Sequence, residues 1–108
     1  LAAKVDAIYL PTDNTVASTA STIGEILQEA KVPAMGSDAA VIDATLFTYG
    51  VDYHAIGVQA GELAVKILKG DKPADLPVQK PNTAAVTVNE EMATALGFDA
   101  ETIKALEK

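Results

Sequence analysis

The sequence predicts an α/β fold, a parallel-sheet βαβ sandwich, and three observations predict it. Two short apolar runs, VDAIYL (5–10) and VPAM (32–35), flank a stretch whose apolar residues recur at helical spacing. Such a strand–helix–strand unit is almost always a right-handed crossover joining parallel strands, so both strands should end on one sheet edge, with Asp13 and Asp38 as neighbours. A long amphipathic stretch, residues 53–69, then stops at Gly70, the usual place for a left-handed residue after a helix.

Each element has its own signal. VDAIYL reads as a fully buried strand ended by Pro11. Beyond it Val16, Ala20, Ile23, Leu27 and Ala30 mark one face of a single helix running from near Asn14 through Lys31, and its first half, TVASTAST, is unusually small and hydroxylated. VPAM is a second strand, with Pro33 tolerated at its beginning and GSD (36–38) ending it. Residues 39–44 read as a short helix leading into a third strand, TLFTY (45–49), which Gly50 breaks. In the long helix, Ile56, Ala60, Leu63, Ala64, Ile67 and Leu68 form the apolar face. Gly57 and Gly61 leave room on one side for another backbone, each at about 1 kcal/mol of helix propensity. GDKPADLPVQKP (70–81) has the prolines of an extended surface connector. TAAVTV (83–88) is the last strand, Asn89 caps a short helix EEMATAL that stops at Gly97, and Asp99 caps a terminal helix with Phe98 and Ile103 spaced as a hydrophobic staple.

Composition narrows the function. At 108 residues and 49% hydrophobic, the chain can fill one core and is not expected to be disordered. A net charge of −7, with the eight basic residues, all lysines, scattered along the chain, argues against the clustered basic surface that nucleic acid requires. The absence of cysteine removes disulfides, thiolate nucleophiles and Cys-based metal sites. No apolar run reaches the roughly 20 residues of a membrane span, and the opening LAAKVDAIYL lacks the basic-then-apolar pattern of a signal peptide. The chain is expected to be soluble, and its abrupt start is that expected of a piece of a longer protein.

The polar residues gather at strand ends. In open parallel sheets ligands bind outside the carboxyl ends of the strands, and YLPTDNT and AMGSDA are both such ends. A helix N-terminus suits a carboxylate and an ionised Asp suits an ammonium group, so together they suit a zwitterion. The competing reading is that Asp13 or Asn14, and Asp38, simply cap helices. In TYGVDY (48–53) a tyrosine has the position to stack on a ligand ring or line a hinge, or to serve as core or cap. His54, the only histidine, reads as a surface residue, and Glu90 and Glu91 as dipole partners at a helix start. No GxGxxG, Walker or GxSxG motif is present, so an enzyme would lack a nucleophile or base with a visible partner.

IYLPTDNTV, EAKVPAMGSD and TYGVDYHAIGVQAGELAVKILKGDKPADLPV, in that order, resemble the solute-binding proteins of bacterial ABC transporters for aromatic amino acids and related solutes. The resemblance covers nearly the whole chain as the C-terminal part of such a protein, and it implies the type I periplasmic-binding-protein fold, two α/β lobes joined by a hinge. Residues 1–50 would then be one lobe's strand–helix–strand core, 51–70 a hinge and a long helix of the other lobe, and 71–108 the connector, last strand and terminal helices. Matching the family's PTDN, SD and YG positions carries over Asp13, Asn14, Ser37, Asp38, Tyr49 and Gly50 as ligand-binding residues. Where the family commonly has GALATYG this chain has ATLFTYG, so Ala44 and Phe47 depart, and Phe47 either reshapes the pocket or fills core. His54 replaces an aromatic frequent at its position.

The resemblance implies a small solute, an amino acid and by preference an aromatic one, bound between the lobes and delivered to ABC permease subunits, with no cofactor, no metal and no catalysis. It implies an extracytoplasmic location, periplasmic or as a membrane-anchored lipoprotein. Two other classes remain open: the ligand-sensing effector domain of a transcription regulator, which shares the fold, and a small α/β enzyme using Asp13. Half of a two-lobe site would leave much of the long helix's apolar face exposed, so weak ligand affinity and a homodimer are expected of the chain alone.

Overall fold

Strands Ile8–Leu10 (β1), Ala34–Gly36 (β2), Phe47–Val51 (β3) and Ala84–Val88 (β4) form a four-stranded sheet in the order β1-β2-β3-β4. The computed structural model describes residues 1–81 and 84–105. β1 pairs parallel with β2, Tyr9 opposite Met35, and β2 parallel with β3, Met35 opposite Phe47. The N–H of Asn89 donates to the carbonyl of Leu46 at 3.0 Å, which sets the end of β4 against the beginning of β3. By contacts the chain divides into two compact units, Leu1–Gly50 with Ala85–Lys108, and Val51–Ala84.

The first unit holds the βαβ core. The crossover between β1 and β2 is not the single helix expected but two, Asn14–Ser18 (α1) and Ala20–Ala30 (α2), divided at Thr19, whose φ of −116° and ψ of 11° leave the helical region. The hydroxylated TVASTAST stretch explains the division. Thr19 Oγ1 donates to the carbonyls of Thr15 and Val16, and Ser18 Oγ to that of Thr15, so side chains compete for acceptors that a continuous helix would use. Beyond the break α2 buries Ala20, Gly24 and Leu27. It ends on Lys31, left-handed at φ 55°.

From β2 the chain crosses to β3 through a 3-10 helix, Ala39–Ala44, that buries Val41 and Ala44. Leu10, Ala20, Val41 and Ala44 make one apolar cluster, with Ile8, Val16, Ala17 and Ile23 packed around it. Leu27, Val32 and Ala34 make a second. A third joins Leu46, Ala93 and Ile103, and Phe47 packs against it, so this departure from the family pattern fills core. The third strand also starts and ends later than expected, and Gly50 lies inside it rather than breaking it.

At the C-terminal end, Glu90–Leu96 (α4) is capped by Asn89 and closed by a left-handed Gly97 at φ 79°, and Ala100–Lys104 (α5) is capped by Asp99. Ile103 is buried, whereas Phe98 is 46% exposed and, among the described residues, belongs to none of the core clusters. Thr83, expected to open the last strand, and the residues 106–108 of the expected terminal helix lie outside the described residues.

The second unit is built on Tyr53–Leu68 (α3), capped by Asp52, whose Oδ1 accepts from the N–H groups of His54 and Ala55. Gly70 follows at φ 111°, left-handed as its position in the sequence requires. The connector holds one 3-10 turn, Pro73–Asp75. Within this unit α3 buries no residue: Ile56 and Leu63 are half-buried, and Leu68 is 86% exposed. Open space lies beside Gly57 and Gly61. No helix among the described residues is long and apolar enough to cross a membrane.

Candidate functional site

β1 and β2 are parallel, so the loops leaving them emerge at one edge of the sheet. Two contacts then draw those loops together. The Ser37 N–H donates to the Leu10 carbonyl at 3.1 Å, and the Ser37 hydroxyl pairs with the Thr12 hydroxyl at 3.0 Å. From the other side β3 presses Gly50 onto Ser37: a Cβ placed there would stand 2.5 Å from the Ser37 carbonyl oxygen. Ser37 is thus held by all three parallel strands.

Both acidic candidates are helix caps. Asp13 Oδ1 accepts from the N–H groups of Thr15 at 2.8 Å and Val16 at 3.0 Å, and among the described residues its Oδ2 takes no protein donor. The side chain is exposed, so that second oxygen faces water. Asp38 is only 8% exposed, and its Oδ1 accepts from the Ala40 N–H at 2.9 Å as it starts the 3-10 helix. Capping therefore accounts for both positions, and at Asp13 it leaves the lone pairs of the second oxygen for a ligand. Two of the N–H groups that a helix start would offer a ligand carboxylate, those of Thr15 and Val16, are already taken by Asp13.

Asp13, Ser37, Asp38 and Gly50 thus lie around one strand-end corner. Asn14 opens α1 beside them, exposed and without a side-chain hydrogen bond among the described residues. Tyr49 is 51% exposed, and strand alternation sends it to the sheet face opposite Thr48 and Gly50. His54 is exposed on α3. Thr12, not among the residues expected from the sequence, also stands at this corner. A signal for it exists: each of the two Asp residues at these strand ends follows a hydroxyl residue, Thr12-Asp13 and Ser37-Asp38, and parallel strand ends bring such pairs face to face.

The segment behind Asp38 is clamped. Asn89 Nδ2 donates to the Ile42 carbonyl at 3.1 Å while its Oδ1 accepts from the Met92 N–H, and Ser21 Oγ donates to Asp43 Oδ2 at 3.3 Å. A polar groove of about 230 Å³ between α2 and α4, lined by Glu25, Asp43, Asn89 and Glu91 among others, lies on that clamp. Among the described residues no three His, Asp or Glu stand close enough together to hold a metal ion.

Comparison with known proteins gives this corner a context. The family model described as ABC transporter substrate binding protein matches residues 1–104. A tyrosine-binding protein of Clostridioides difficile is 34% identical over 97 residues, 89% of this chain and 28% of that protein. The ABC domain from Streptococcus pneumonia solved in complex with L-Trp superposes with a TM-score of 0.78 at 36% identity, over 98% of this chain and 36% of that one. The ligand-free, open structure of a substrate binding protein with adhesive properties from Clostridium difficile gives a TM-score of 0.75 at 36% identity, over 89% of this chain and 33% of that one. The chain therefore spans about a third of the length of the relatives it matches. With a model matched along almost all of its length, this chain belongs to the ABC transporter substrate binding protein family.

Proposed function

We propose that this chain supplies one wall of an amino-acid site in a two-lobe substrate-binding protein, with an aromatic amino acid as the favoured ligand. Residues 1–50 and the last strand and terminal helices form the wall, and residues 51–70 carry the chain through a hinge to a helix of the other lobe. Asp13, Asn14, Ser37, Asp38, Tyr49 and Gly50 contact the solute. Asp13 Oδ2 accepts from the ligand ammonium while Oδ1 keeps its cap; Asn14 holds the carboxylate; Asp38 or Tyr49 completes the polar wall. Ligand bridging the lobes stabilises a closed form, and that form is what an ABC permease on the extracytoplasmic side of the membrane recognises. Binding is the whole activity, with no chemical step and no cofactor.

The observation that supports this reading best is the meeting of the β1 and β2 ends through Thr12 and Ser37, backed by Gly50. It gathers polar groups where parallel sheets bind ligands, in a chain whose relatives include one named for tyrosine and one solved with L-Trp. The test is calorimetric titration of the intact protein with L-tyrosine, L-tryptophan, L-phenylalanine and a set of non-aromatic amino acids. Saturable binding of an aromatic amino acid supports the reading, and no heat with any amino acid refutes it.

A further inference from the structure

Thr12 and Ser37 are 25 residues apart in sequence, yet their hydroxyl oxygens stand 3.0 Å from one another. Each immediately precedes a capping carboxylate, Asp13 on the β1 loop and Asp38 on the β2 loop. Main-chain pairing stops just short of this point, the Ser37 N–H making the last bond to Leu10. Beyond it the two loops are joined by side chains, and the hydroxyl pair is the link that the described residues show. Ser37 itself has little freedom, because Gly50 lies against its carbonyl. Thr12 is exposed, and the hydroxyl pair ties its loop to the held Ser37.

We infer that Thr12 is a positioning residue, whose hydroxyl, paired with that of Ser37, sets the separation of the Asp13 and Asp38 loops and so the width of the ligand-binding corner. The width follows from chemistry: two hydroxyls at hydrogen-bond distance hold the chains closer than two apolar side chains in contact would. Ser at position 12 keeps this link, and Val, nearly the shape of Thr, removes it. The inference rests on the proposed amino-acid site for its consequence in binding, but not for the link itself.

The experiment is a cycle in the intact protein of Thr12→Val, Ser37→Ala and both together, with Thr12→Ser as the conservative variant. L-tyrosine and L-tryptophan are the titrants, and amide exchange of the ligand-free protein is followed by NMR. Thr12→Val is expected to weaken binding about 3- to 10-fold, the range a single net hydrogen bond covers. Ser37→Ala, which also removes a proposed solute contact, should weaken it at least as much, the double variant should lose no more than Ser37→Ala alone, and Thr12→Ser should bind like the parent. In the ligand-free protein Thr12→Val should speed exchange at Ser37 and Ala40, on the loop it does not belong to. Additive losses would mean that the two hydroxyls contact the ligand separately, and would overturn the positioning role. Unchanged exchange at Ser37 and Ala40 would overturn it as well, whatever the affinities. Should the parent bind neither amino acid, the functional reading fails alone, and exchange across the loops still decides the role of Thr12.

Discussion

Gly50 on β3 sits so close to Ser37 that a single added methyl group would stand 2.5 Å from the Ser37 carbonyl oxygen and 3.4 Å from the Asp38 Cα. Those atoms are backbone, so neither can swing aside as the end of a flexible side chain would. Gly50→Ala should therefore push β3 away from the Ser37–Asp38 loop, with a loss of about 1–3 kcal/mol of stability from overpacking. Urea unfolding measures the stability, and titration with an aromatic amino acid measures the corner. Unchanged unfolding would show that the sheet edge yields more easily than this packing implies.

Asp13 has two roles to separate, since one of its oxygens caps α1 and the other faces water. Asn caps as well as Asp but carries no charge, whereas Ala does neither. Asp13→Ala should cost about 1 kcal/mol of stability from the lost cap. Asp13→Asn should leave stability near that of the parent, yet weaken amino-acid binding by about 1–3 kcal/mol if an ammonium group loses its charged partner. Equal affinity of Asp13→Asn and the parent would reduce Asp13 to a cap.

The caps that the sequence offered at Asp13, Asp38, Asn89 and Asp99 rest on local chemistry, and so do the two βαβ strands, although the first is shorter than expected and leaves Tyr9 exposed rather than fully buried. The helix break is not legible, because apolar spacing at Val16, Ala20 and Ile23 runs straight through Thr19, while the break depends on where two hydroxyl groups, those of Ser18 and Thr19, find carbonyls. Glycine weakens strands in general, which makes Gly50 look like a breaker; the strand continues through it, and the glycine leaves room for the Ser37 backbone, which lies too close for a side chain. Of the site, the Asp13 and Asp38 loops followed from parallel topology. The Thr12–Ser37 pair did not, because a contact between side chains on two loops needs coordinates to be seen.

Taken alone, the 108-residue chain leaves α3 without a buried residue, with Val58 and Val65 about half exposed and Leu68 almost wholly so. An apolar surface of this kind favours association. Sedimentation of the chain by itself is expected to show a concentration-dependent dimer, with weak or no affinity for amino acids. A monomer throughout the range of concentrations would show that the exposed face of α3 is not enough to drive pairing.

Around α4 and α5, pH should act through one small network. Lys104 Nζ lies 2.7 Å from Glu90 Oε1 and 2.9 Å from Glu101 Oε1. The hydrogen bond from Lys104, and then its charge, hold the Glu90 carboxyl below its ordinary value. The Thr102 hydroxyl first, and then the Glu101 N–H, lower Asp99. A carboxyl whose folded value is depressed binds protons more readily in the unfolded chain, so its contribution is present above the unfolded value and is lost as the pH falls through the folded one. Lys104 is shifted upward by Glu90 and then Glu101, so its share persists until strongly alkaline pH. All of these groups are exposed, which keeps the effect small and sensitive to salt. Acidification below about pH 4, the ordinary carboxylate range, should loosen α5 from α4 before the sheet unfolds. Amide exchange at Ile103 and Lys104 against pH would report it. In Lys104→Gln the Glu90 part of the profile should vanish and the Asp99 part remain; an identical acid profile in that variant would show that the ion pairs contribute nothing to holding the two helices together.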